Sequence, residues 1–187
     1  MLACFPTVII LALGTAGSSP LMAQPPTFQH VVIDATNPAN PHCKTLGDID
    51  GDGYLDALAA SSSGGGMFWY EYPGWTEHAI RASGSWTTDM QVGDVDSDGD
   101  LDVVTRKKQG GWTYFWKQES PTNWTRITVS STDGEGTALA DLDEDNDLDV
   151  VHNGFWLEQI DPTTWIEHTR VGNWFSRSEG IEPGEWC

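Results

Sequence analysis

The sequence predicts an all-β fold built from repeated four-stranded units. Three observations carry this. An acidic loop of one pattern recurs three times, starting at Asp48, Asp94 and Asp141, so the intervals are 46 and 47 residues. A short apolar run of strand type follows each loop: Ala57-Leu58-Ala59, Val103-Val104 and Val150-Val151. A glycine-bearing connection, an aromatic run and a segment opened by tryptophan then complete each interval. Four short strands at a period near 46 residues make up one blade of a β-propeller.

Taken in order, first strands precede the loops at 44–46, 90–92 and 137–139. The apolar runs after the loops are second strands, bounded by turn residues. Connections such as 61–66 and 107–111 lead to third strands at 67–72, 112–116 and 155–157. Fourth strands follow at 75–80, 124–129 and 165–170. Residues 28–33 read as one more fourth strand, with His30 in the register of His78 and His168. That makes about three and a half blades. Closed propellers have about four to eight, so the chain reads as a partial or open propeller: a fragment, an open array, or part of an oligomeric ring completed by further blades or self-association.

The loops carry the chemistry. Aspartates stand at positions 1, 3, 5 and 9: Asp48, Asp50, Asp52 and Asp56; Asp94, Asp96, Asp98 and Asp102; Asp141, Asp143, Asp145 and Asp149. Four carboxylates on one tight turn repel unless a cation sits between them. Calcium accepts about six to eight oxygen ligands in flexible geometry. The backbone carbonyl at position 7 (Tyr54, Asp100, Asp147) is a further candidate ligand. Position 6 is Gly53, Gly99 or Asn146, residues that tolerate the left-handed conformation a tight turn needs. About three Ca²⁺ ions are therefore expected. An EF-hand is excluded, because its bidentate Glu at position 12 is replaced by Ala59, Thr105 and His152.

Asp-x-Asp-x-Asp-Gly-x-Leu-Asp, followed by Phe68-Trp69-Tyr70-Glu71-Tyr72-Pro73-Gly74 and Trp75-Thr76-Glu77-His78-Ala79-Ile80, resembles the FG-GAP/VCBS repeats of integrin α-subunit propellers and secreted bacterial proteins. The resemblance covers nearly all of the chain after its N-terminal segment. It implies a calcium-binding β-propeller domain over 24–187, with loops at 48–56, 94–102 and 141–149. It does not fix one activity, since such scaffolds carry many.

Residues 1–23 hold no charged side chain, and 5–13 are mostly apolar. This reads as a secretory signal peptide ending at Ala23; the run is too short to span a bilayer. A secreted or periplasmic location follows, with no transmembrane segment in the mature chain. Cys43 and Cys187 remain after cleavage and could pair in an oxidising compartment, or both stay as thiols. A net charge of −19 argues against nucleic acid as a partner.

Strand alternation puts the acidic loops at one end of each blade and the second-to-third connections at the other. That other end collects six of the nine Lys and Arg residues: Arg81, Arg106, Lys107, Lys108, Arg170 and Arg177. Trp86, Trp112 and Trp174 lie in or beside the same connections. Solvated loop charge is the plain reading. The functional one is a face for an anionic polysaccharide formed by Trp86, Arg106, Lys107, Lys108, Trp112 and Trp174, the cations on carboxylates and the tryptophans against sugar rings; the partner expected of the module is a polysaccharide or an extracellular protein. Other tryptophans, such as Trp69 and Trp116, read as packing between blades. The pattern contains no nucleophile–base pair and no zinc-type histidine cluster. A non-catalytic module for adhesion or carbohydrate binding is therefore favoured over the enzyme reading, part of a polysaccharide lyase or sugar dehydratase.

Overall fold

The computed structural model describes residues 29–86, 89–107, 110–132, 136–152 and 154–169. Met1–Val31 forms one compact unit and Val32–Cys187 another. Of the first, residues 29–31 are described, and they carry no strand. The described residues of the second hold twelve strands: β1 (Pro41–Gly47), β2 (Asp56–Ser61), β3 (Met67–Glu71), β4 (Thr76–Arg81), β5 (Met90–Gly93), β6 (Asp102–Lys107), β7 (Trp112–Ser120), β8 (Asn123–Ser130), β9 (Ala138–Ala140), β10 (Asp149–His152), β11 (Phe155–Asp161) and β12 (Thr164–Thr169).

They make three antiparallel sheets of four, in sequential order: β1-β2-β3-β4, β5-β6-β7-β8 and β9-β10-β11-β12. Each is the meander the repeat pattern predicts. Every predicted strand after residue 40 is present. Most are longer than their apolar runs, because ladder pairing continues through polar residues. β7 runs on through Lys117-Gln118, which pair with Thr125 and Trp124 of β8.

The expected strand at 28–33 is a correction. Phe28 lies outside the described residues, and 29–33 form no strand. A fourth strand needs the free edge of a third strand, and β3, β7 and β11 already pair with β4, β8 and β12. The segment leaves Val31 and Val32 more than half exposed.

The sheets meet through their first strands, β1 against β5 and β5 against β9. Three blades side by side through their inner strands is propeller-like; no closed ring is formed by the described residues. The close approach explains two glycines. A Cβ on Gly93 would lie 2.9 Å from both Leu139 and Leu148 of the next blade, and one on Gly47 would lie 3.0 Å from Val92. One apolar cluster fills the first junction, with Trp69, Trp86, Met90, Trp116 and Leu58 buried together. A second, around Val104, Phe115, Val150 and Leu157, fills the next. Trp69 and Trp116 are thus the packing residues the sequence implies, 1% and 3% exposed. Trp69 also donates its indole N–H to the Pro121 carbonyl across the junction, at 2.9 Å.

Two glutamines bind blade to blade. Gln118 Nε2 donates to the Ile49 carbonyl at 3.0 Å, and Gln159 Nε2 to the Val95 carbonyl at 2.8 Å. Each reaches the second residue of the preceding blade's acidic loop. Both are 2% exposed. Truncation strands a buried carbonyl, which costs about 1–3 kcal/mol. Gln159→Ala is therefore expected to lower the urea midpoint of unfolding with the m-value unchanged, whereas Glu119→Ala, an exposed change on β7, should leave the midpoint where it is.

Candidate metal centres

Each acidic loop joins the first strand of a blade to the second. Two residues in each take the left-handed conformation. One is at position 6 as expected: Gly53 (φ 92°), Gly99 (98°) and Asn146 (77°). The other is at position 4: Gly51 (74°), Ser97 (60°) and Glu144 (66°). The second was not legible, because only the first loop marks it with glycine. Hydrogen bonds close the turn. The carboxylate at position 1 accepts the backbone N–H at position 6: Gly53 to Asp48 at 2.9 Å, Gly99 to Asp94 at 3.1 Å, Asn146 to Asp141 at 3.0 Å.

The aspartate at position 9 has a role of its own. Asp56, Asp102 and Asp149 are buried to 2% exposure or less. One oxygen of each accepts the backbone N–H of loop position 2: Ile49 at 3.0 Å, Val95 at 2.9 Å, Leu142 at 2.9 Å. The other accepts an N–H at the third strand: Tyr72 at 2.9 Å, Gln118 at 2.8 Å, Gln159 at 2.9 Å. Burial pushes all three carboxyls above the usual carboxylate range against the opposing effect of these bonds, Asp102 to about 6.

The structure brings ligand atoms of Asp48, Asp50 and Asp56 within 4.8 Å of one another, and likewise those of Asp94, Asp96 and Asp102, and of Asp141, Asp143 and Asp145. Positions 1, 3 and 9 meet in the first two loops, and 1, 3 and 5 in the third. Asp52, Asp98 and Asp145 each spend one oxygen on the N–H two residues on. Tyr54 and Asp100 place position 7 on the loop surface; Asp147 is half-buried there, and its carboxyl is raised to about 6 by burial first and by Asp145 next.

Do these residues fit a cation? Each loop holds one buried carboxylate oxygen that no described group hydrogen-bonds: Asp48 Oδ1, Asp96 Oδ1 and Asp147 Oδ1. A buried anionic oxygen without a donor is costly. Asp48 and Asp96 are members of their clusters, and Asp147 stands in the third loop beside its own; all three clusters are made of hard oxygen donors, so the donor set fits a calcium-like ion.

One residue missed by the sequence reading is Lys117. Its Nζ pairs with Asp96 Oδ2 and lies 3.3 Å from Asp98 Oδ2. At the same register stand Glu71 and Glu158, each just before the residue whose N–H reaches the position 9 aspartate. Those glutamates meet His78 and His168, which stack on Trp69 and Trp156 at 4.2 and 4.5 Å. Aligning the third strands exposes the exchange of Glu for Lys; counting loop aspartates does not.

At the opposite end the expected ligand face needs correction. Trp86 is 3% exposed and packs edge-on against Trp116, 5.7 Å between ring centres. Arg106 is fully buried, with Nε on Thr113 Oγ1 at 3.3 Å and Nη2 on the Thr132 carbonyl. Both are structural, since the apolar junction between blades encloses the ends of these strands. Lys107 is part-exposed at the end of β6, and Trp112 is 41% exposed. Lys108 and Trp174 lie outside the described residues, as do Cys187 and the proposed signal segment. Cys43 is buried, with its Sγ 3.6 Å from the Trp86 carbonyl.

Four-stranded antiparallel blades, set side by side by their inner strands and each opened by an acidic loop, define a β-propeller-like repeat protein. The chain belongs to the FG-GAP-like repeat family, whose model matches residues 48–105 and again 94–152. The two matches overlap and together span all three loops. No curated protein matches the chain.

The pairing of Lys117 gives a test that needs no metal. Lys117→Gln leaves Asp96, whose side chain is 8% exposed, beside Asp98 without a counter-charge. In excess chelator the variant is expected to lose about 1–3 kcal/mol, between the values for exposed and buried pairs. Adding Asp96→Asn should recover most of that loss. Equal chemical-denaturation midpoints for wild type and Lys117→Gln would disprove the role.

Proposed function

We propose that this protein is a secreted, calcium-binding propeller module of the VCBS type, whose role is adhesion or carbohydrate and protein binding rather than catalysis. The observation that carries the calcium reading is the buried oxygen without a donor in every loop: Asp48 Oδ1, Asp96 Oδ1 and Asp147 Oδ1. Asp48, Asp50 and Asp56, then Asp94, Asp96 and Asp102, and Asp141, Asp143 and Asp145 would hold the ions. Bound calcium supplies positive charge and coordination bonds that the loop backbone cannot. The chain's own part is to orient the carboxylates through the position 1 and position 9 hydrogen bonds.

The binding role is supported by where the rigid parts end. The blade interiors are filled by aromatic and aliphatic side chains, leaving surface connections to vary. Among the described residues no helix is long and apolar enough to cross a membrane, in keeping with the secreted reading. The lyase or dehydratase reading asks for an accessible base. His152 does not offer one: it is fully buried, and burial, with Arg106 next, holds its imidazole down to about 3.

An ion that binds only the folded state stabilises it by mass action, about 2.7 kcal/mol per site at a hundredfold excess over Kd. Each kcal/mol moves Tm by about 2–4 °C in a domain of this size. Chelator is expected to lower Tm, and calcium to restore it, with magnesium much less effective. Asp96→Ala should shrink the calcium-dependent rise by about one third, while Glu119→Ala leaves it intact. A melting curve indifferent to chelator and calcium would overturn the reading.

A further inference from the structure

The second blade departs from its neighbours at one more place. In register, Arg126 of β8 stands opposite Trp116, as Glu77 stands opposite Tyr70 and Glu167 opposite Leu157. The two glutamates do the same work. Glu77 accepts from Asn37 Nδ2 at 2.9 Å, and Glu167 accepts from the backbone N–H and hydroxyl of Thr132 at 2.5 and 2.6 Å. Each carboxylate thus fastens its blade to the segment that enters it. At the middle junction the entering segment is Ala82–Trp86, and the residue facing it is a cation.

A cavity of about 270 Å³ opens there, lined among others by Arg81, Ser83, Ser85, Lys107, Tyr114 and Arg126. No Asp or Glu is among its described lining residues. None of the three cations has an acidic partner or a hydrogen bond among the described residues. Aromatic rings hold two of them in place: Arg126 Cζ is 5.6 Å from the Tyr114 ring centre and 5.8 Å from that of Trp116, and Lys107 Nζ is 5.9 Å from Tyr114. Among the described residues these are three cations without an acidic partner at one recess, Arg81 and Arg126 exposed and Lys107 part-exposed, in a chain of net charge −19. The volume lies just under the range of about 300–1,000 Å³ for drug-sized ligands, which suits one sugar ring.

We propose that this recess binds the carboxylate of a uronic acid unit in an acidic polysaccharide, the external acid taking the place that Glu77 and Glu167 fill in the flanking blades. Arg126 and Arg81 offer forked donors matched to a carboxylate. Lys107 adds charge, and the Ser83 and Ser85 hydroxyls reach ring oxygens. The repulsion of the distant acidic loops is screened, because the Debye length is about 8 Å at physiological salt. The proposal deepens the binding role above and rests on that reading.

The test uses the full chain in buffered calcium and a galacturonate trimer, with binding read by calorimetry at low and high salt. Wild type is expected to bind, more weakly at high salt, and at least tenfold more weakly when the trimer is methyl-esterified. Arg81→Gln, Lys107→Gln and Arg126→Gln together should weaken binding at least tenfold. Arg126→Glu, which restores the pattern of the flanking blades, should abolish it while leaving Tm within a few degrees. The proposal is overturned if the triple variant binds within twofold of wild type, if the ester binds as well as the acid, or if wild type shows no binding. Tighter binding of a sulfated trisaccharide or of an oligothymidylate overturns the carboxylate assignment in favour of sulfate or a general polyanion site. Melting is followed in parallel: if it ignores calcium while the triple variant still loses the trimer, the calcium reading fails and the recess stands.

Discussion

The interaction on which the rest of the structure depends is the bridge made by the buried aspartate at loop position 9. Asp56, Asp102 and Asp149 each hold two backbone N–H groups, one from the loop and one at the third strand. The loop interrupts the first and second strands, and its N–H groups have no ladder partner. Without the carboxylate, those donors would be buried and unmet, which proteins rarely tolerate. The same side chain sets the distance between the loop and the third strand, so it fixes the register of the blade. Its cost is desolvation, seen in the raised pKa of Asp102. A cation bound beside the loop would offset that cost, since it favours the ionised form that accepts both bonds.

The bridge also extends across blades. Gln118 donates its backbone N–H to Asp102 of its own blade and its side-chain amide to Ile49 of the blade before. Gln159 repeats this between Asp149 and Val95. Each glutamine therefore senses two successive acidic loops. Disorder in one loop would release a buried carbonyl or N–H in the next. Repeat proteins draw their cooperativity from such nearest-neighbour terms. Here the terms run through the same loops that gather the carboxylates, so order in one loop is physically tied to the order of its neighbour.

The fold was largely legible because it rests on short-range pattern. Aspartates at alternate positions, apolar pairs after them and aromatic third strands each repeat at nearly fixed spacing, and strand pairing follows from chain order. What was not legible depends on which way a side chain points once two blades meet. Arg106, next to the last residue of β6, and Trp86, in the connection after β4, read as surface residues, yet both are enclosed at a junction. Their burial depends on the Thr132 carbonyl and on the Trp116 ring, contacts that sequence separation hides. The strand expected at 28–33 failed for a related reason: its residues have strand propensity, but the third-strand edges are all taken. Lys117, Gln118 and Gln159 escaped notice because polar residues inside a strand carry no periodic signal.

The departures from the repeat are as informative as the repeat. Asp, Gln and the aromatic rings recur because the scaffold needs them in every blade. At two third- and fourth-strand positions the flanking blades carry acids, Glu71 with Glu158 and Glu77 with Glu167, and the middle blade carries Lys117 and Arg126. Both exchanges reverse the sign of charge, and they stand one register step apart on β7 and β8. At the loop end the lysine meets an internal acid, Asp96, and the charge is closed within the chain. Arg126 instead lines a recess with Arg81 and Lys107, and no acid is among its described lining residues. The lysine is closed within the fold, whereas Arg126 and Arg81 are exposed, the former over two π faces, so among the described residues this is where the blade leaves positive charge facing its surroundings.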